Sequence, residues 1–205
     1  LFTQQNAQAL SPTPEGWEIT TPNSTYKAHN VVIATGSNPK IWQLLANLGH
    51  TIISPVPSLF TFNTSTQWAK ELSGIAVNAS VRLLSQDGKS LKIAETAPML
   101  FTHNGFSGPA VLRASAWGAR VLAEYNYRCL MEVNFTAHNS EALTYDETLL
   151  LLQDCKQHNG RKTMQNLALF DLPKRLWNVL LDSAGIAPAQ SWAELNNSQL
   201  RHLAE

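Results

Sequence analysis

The chain has 205 residues, of which 44% are hydrophobic and 15% charged, enough apolar material for a buried core and too much for a disordered tail. Fifteen Lys and Arg balance fifteen Asp and Glu, giving a formal net charge of zero, and no block of like charge suits a phosphate backbone or an anionic membrane. A small-molecule substrate is therefore the expected partner, nucleic acid and membrane are not expected, and the cytoplasm is the expected compartment.

The opening LFTQQNAQAL lacks the basic flank and apolar core of a signal peptide. WEITT (17–21) alternates apolar and polar residues, and the turn at Pro22-Asn23-Ser24 leads into TYKAHNVVIATG, which predicts a hairpin feeding a buried strand. Val31-Val32-Ile33-Ala34 is apolar throughout, as in a strand covered on both faces. A helix follows, with Pro39 in its first turn, a stripe of Ile41, Leu44, Leu45 and Leu48, and Gly49 at its end. HTIISPVPSLFTFN reads as a short strand broken by Pro55 and Pro57.

From about 58 to 136 the pattern is mainly β: LFTFN, IAVNASVRLLS, a hairpin turn at Asp87-Gly88, KSLKIAE and YRCLMEVNFT. A single helix is expected within it, starting at Pro109, with Gly118 as a local weakness. Beyond 140 helix formers dominate. YDETLLLLQDCKQHNG carries acid early, Lys156 and His158 late and Gly160 at the stop, PKRLWNVLLDSAG repeats that grammar with Pro173 at the start and Gly185 at the end, and SQLRHLAE begins one more helix. Its longest apolar stretch, TLLLLQ, is far shorter than the roughly 20 residues of a membrane span.

LFTHNGFSGPAVL (100–112) is the stretch richest in chemical possibility. Gly105 and Gly108 let a backbone approach a ligand, Ser107 is placed to cap, and Pro109 opens a helix whose free N–H groups attract negative charge. A tight strand-to-helix connection needing glycine explains the same spacing. His103 beside it suits a proton donor or an oxyanion partner, or simply a backbone hydrogen bond. His29, His50, His138, His158 and His202 have no metal spacing, and Cys129 and Cys155 read as reduced, buried thiols, so no metal site is expected. The six tryptophans read as core or seam residues, and the five Asn-x-Ser/Thr triplets as chance. Gly36 directly after an apolar strand would let that strand's end touch a nucleotide.

NVVIATGS, LGHTIISPVPSLFTF and PMLFTHNGFSGPAVLRASAWGA together resemble, in order and spacing, the BaiN/RdsA-type family of flavoproteins, also called YhiN-like NAD(P)/FAD-dependent oxidoreductases. Thr102, His103, Gly105, Ser107, Gly108 and Pro109 fill the family's T-H-x-G-x-S-G-P pattern, and LPKRLWNVLLDSAGI is similar to its LP-x-RL helix. The resemblance implies an α+β chain: part of an FAD-binding domain over 1–54, a β-rich inserted domain over 55–139 and a helical subdomain over 140–205. It implies FAD as cofactor with NAD(P)H as reductant, cofactor contacts at Ala34, Thr35, Gly36, Gly105, Ser107 and Gly108, and His103 as the catalytic candidate. Ser37 replaces the family's second glycine, and neither a GxGxxG turn nor its acidic partner is present. The expectation is an internal fragment, unable to hold FAD tightly alone and completed by the remaining FAD-domain segments. The open alternative is a non-catalytic interaction module that kept the inserted domain without a cofactor site.

Overall fold

Alternating side chains organise the start of the chain into an antiparallel meander of β1 (Ala9–Thr13), β2 (Gly16–Thr20) and β3 (Thr25–Ala28). The computed structural model describes residues 2–137 and 141–205, in two compact units, Leu1–Pro55 and Val56–Glu205. His138 lies outside the described residues. Strands β2 and β3 form the expected hairpin, whose turn is closed by Thr21: its hydroxyl donates to the Ser24 carbonyl at 2.8 Å and accepts from the Ser24 N–H at 3.1 Å. Strand β1 is an addition, masked in the sequence by Pro12, which sits on the edge of the meander. Asn38 caps α1 (Pro39–Asn47) by accepting from the Lys40 N–H at 3.1 Å.

The apolar run after β3 differs from its reading as a buried strand. Residues 31–36 carry no strand pairing, and Val32 and Ile33 are 86% and 43% exposed. An extended segment becomes a strand only when another takes its N–H and C=O groups, and none in this unit does so. The segment at Ile52 and Ile53 is likewise unpaired.

The second unit holds a five-stranded antiparallel sheet in the order β4-β7-β6-β5-β8, formed by β4 (Phe62–Asn63), β5 (Ala76–Leu84), β6 (Ser90–Thr102), β7 (Gly105–Ser107) and β8 (Leu130–Asn134). The Asp87-Gly88 turn joins β5 to β6 as its sequence requires, with Gly88 at φ +83°. Every second residue of β5, from Val77 to Leu83, is buried, and the partners Ile93 and Met99 of β6 share that face. Against it lies α2 (Gln67–Glu71), a single turn too short to announce itself, and α3 (Pro109–Trp117), which presents Ala110, Val111 and Ala114. The helix breaks at Gly118 and resumes as α4 (Ala119–Glu124). A Cβ at Gly118 would stand 2.6 Å from the Ile93 side chain, so the missing side chain lets the break sit tight on β6.

Helices α5 (Tyr145–Asn159), α6 (Lys174–Ser183) and α7 (Asn197–Ala204) form in the predicted stretches, α6 between Pro173 and Gly185 and without the acid-first, base-last charges of α5. Thr144 and Glu147 form a capping box on α5, and the bonds from Thr144 hold the Glu147 carboxyl below the usual range. Trp177, fully buried, donates its indole N–H to the Met164 carbonyl at 2.7 Å. A main-chain clasp joins the loops after α5 and α6. Met164 N–H reaches Gln190 O at 2.9 Å, Gln165 N–H reaches Pro188 O at 3.0 Å, Trp192 N–H reaches Lys162 O at 3.0 Å and Ala193 N–H reaches Gly160 O at 3.1 Å. The mixture of sheet and helices makes this an α+β chain.

Two expectations are corrected. Trp177 and Trp192 are core residues, but Trp117 is 78% exposed at the end of α3. Cys129 and Cys155 are free but only half-buried, with burial pushing both thiols up in pKa.

Candidate functional site

Ala34, Thr35 and Gly36 lie in the first unit on an exposed loop leading into α1. Gly36 has φ +61°, and a Cβ there would meet no atom within 4 Å. Its carbonyl accepts from the Asn38 N–H at 2.9 Å; otherwise the main chain of Ala34–Gly36 has no hydrogen-bond partner among the described residues. Free N–H donors in an open glycine turn ahead of a helix fit a ligand held through main-chain atoms, the manner in which an FAD nucleotide would be met here.

The THNGFSGP segment is organised differently. Thr102 and Gly105 pair across a two-residue turn, and the Thr102 hydroxyl accepts from the Gly105 N–H at 3.1 Å. His103 and Asn104 form the exposed tip; the Asn104 carbonyl holds the Thr64 N–H at 2.9 Å, and the His103 ring has no hydrogen bond among the described residues. Gly105 has φ +149°, and a Cβ would fall 2.1 Å from the Phe62 carbonyl oxygen. At Gly108, with φ +89°, it would fall 2.9 Å from the Pro98 carbonyl oxygen. The close approach these glycines permit is thus taken up by β4 and β6 rather than left open. Gly108, not Ser107, is the cap residue of α3, and Ser107 is half-buried.

The sequence reading missed a cavity of about 1570 Å³ in the second unit, between the sheet edges β4 and β8 and the helices. Phe60, Phe62, Phe106 and Tyr127 give it an aromatic wall. Phe60 stands edge-on to Phe62 at 5.5 Å and to Tyr127 at 5.7 Å, and its N–H is fixed by the Ser115 hydroxyl at 2.9 Å. Arg82, Arg128 and Gln86 add polar groups. Arg82 is paired with Glu132 at 2.9 Å, whereas Arg128 is exposed and has no carboxylate within ion-pairing distance among the described residues. His103 and the glycines around it do not line this cavity. Aromatic residues scattered at 60, 62, 106 and 127 share no motif, so only the fold reveals their meeting. Among the described residues there is no metal-binding group of three or more His, Cys, Asp or Glu, and no helix is long and apolar enough to cross a membrane.

Residues 56–205 match the family model described as the HI0933-like protein barrel and H2TH domain, over the whole second unit. The chain is also 27% identical over 195 residues to a ribosomal RNA dihydrouridine synthase of Haemophilus influenzae, a match covering 89% of this chain and 43% of that protein. The chain thus spans less than half the length of this relative. With 150 of its residues under one family model, the chain belongs to the HI0933-like family, which is flavoprotein-related.

Proposed function

We propose that this chain is the central part of a flavin-dependent reductase whose substrate is a uracil base in ribosomal RNA. The observation that carries the reading is the family match over residues 56–205, joined to the similarity with a protein named for that reaction. The expectation against nucleic acid came from zero net charge and the lack of a block of like charge. A zero sum does not prevent single arginines such as Arg128 from standing unpaired beside an aromatic wall, and recognition of an unpaired base needs little more charge than that.

In this reading FAD, when bound, supplies a hydride that originates from NAD(P)H, and the uracil C5=C6 double bond becomes single by taking that hydride and one proton. Ala34, Thr35 and Gly36 hold the nucleotide through their free main-chain donors, with the rest of the grip supplied by further FAD-domain segments of a longer protein. His103, with an unbonded ring on an exposed tip, is the proposed proton donor, and residues 56–205 form the substrate side.

The test uses the whole protein containing this chain. It should purify yellow and convert uridine in ribosomal RNA to dihydrouridine when given NAD(P)H, read by mass spectrometry of the digested RNA. His103→Ala should keep the flavin and slow base reduction, whereas Gly36→Val should reduce the amount of flavin retained. A colourless protein that refuses FAD would sink the proposal and leave the interaction module as the better account.

A further inference from the structure

We propose that Tyr127 and Arg128, at the lip of the aromatic cavity, seat an unpaired nucleotide of the RNA, the base against the Phe60–Tyr127 wall and the phosphate on Arg128. The inference rests on the RNA reading above and assigns residues that neither the family motif nor the glycine turns indicated. Helix α4 ends in a Schellman cap, with Asn126 N–H on the Ala123 carbonyl at 3.1 Å, and its two closing residues, Asn126 and Tyr127, adopt left-handed conformations at φ +51° and +57°, as Phe170 and Asp171 also do. Asparagine tolerates that region, but a bulky aromatic residue is disfavoured there because its Cβ crowds the backbone carbonyl. The chain holds the conformation with a bond from the Tyr127 N–H to the Leu122 carbonyl at 2.7 Å and one from the Arg128 N–H to the Tyr125 carbonyl at 3.0 Å. These bonds fix the direction in which the Tyr127 side chain leaves the helix end.

The strained turn has a definite geometric result. It sets the Tyr127 ring edge-on to Phe60 at 79°, leaves it 40% exposed, and leaves its hydroxyl without a hydrogen-bond partner among the described residues. Phe60 is itself anchored to Ser115. A fixed aromatic wall, a free phenol and an unpaired guanidinium one residue away match the three parts of a nucleotide in single-stranded RNA: a π-face, hydrogen-bonding base edges and a phosphate. Glu132 neutralises Arg82, and Glu205 also lines the cavity, so Arg128 is the lining arginine left for a single phosphate; beside stacking faces it favours a nucleotide over a second apolar protein surface.

The test measures binding of a fluorescent, uridine-containing single-stranded RNA to the whole FAD-loaded protein across a salt series. Tyr127→Gly removes the ring while suiting the left-handed backbone, and Arg128→Ala alters only an exposed side chain. Each should raise Kd by about tenfold or more, and Arg128→Ala should also flatten the salt dependence by about one unit of slope. Thermal stability and bound flavin should be retained in both. Unchanged RNA affinity in both variants, with wild-type protein binding and reducing RNA, overturns this assignment and spares the functional reading. Wild-type protein that neither binds nor reduces RNA overturns both.

Discussion

The two units of the chain spend their apolar residues in opposite ways. In the described part of the first unit Ile41 is the only buried apolar side chain, while Val32, Ile33, Ile52 and Ile53 face outward. In the second, β5 and β6, the α3 face and the helices around Trp177 and Trp192 close over a continuous core. Unpaired strand-like segments with exposed β-branched residues leave apolar surface and backbone groups open to solvent, whereas a closed core supports itself. The lesson is that the second unit closes a core of its own, whereas the first buries little of its apolar surface among the described residues.

Cutting the core gives the largest expected effect. Trp177→Ala should remove about 3–5 kcal/mol from the unfolding free energy of residues 56–205, followed by chemical denaturation, because it opens a cavity and removes the indole's bond to the Met164 carbonyl. If that segment, expressed alone, unfolds without a cooperative transition, the contrast between the units fails. A smaller effect separates two glycines of the same motif family. Gly105→Ala should cost about 1–3 kcal/mol because its Cβ collides with β4. Gly36→Ala, with open space around it, should cost less in the same denaturation measurement. Equal costs would mean that the exposed turn is packed as tightly as the sheet. The smallest effect is expected on the outward face: Val32→Ser should change the stability of the chain by no more than about 0.5 kcal/mol, yet lower the melting temperature of the whole protein if other segments cover that face. A large loss in the chain alone would show that Val32 is already packed.

Much of this architecture was legible in the residues. Asp87-Gly88 between two alternating runs fixed a hairpin, and acid-first, base-last patterning located α5. The run at Val31–Ala34 misled because apolarity records a wish for cover, not whether the cover lies within the same stretch of chain. α2 went unseen because five residues cannot display a helical period. The site was less legible still. His103, Gly105 and Gly108 share one short motif and so attract notice, although the glycines answer to strand packing. The Tyr127 lip depends on a backbone conformation that no non-glycine residue advertises, and on Phe60 arriving from a segment 67 positions away.

The clasp between the loops after α5 and α6 has a consequence for how this chain tolerates change. Because amides and carbonyls make the attachment between residues 160–165 and 188–193, most side chains there are released from the duty of holding the helices in place. Substitution can drift at the exposed positions of these loops, though not at the buried Met164 and Trp192, whereas one inserted residue would shift the whole ladder of partners and part the helices it joins.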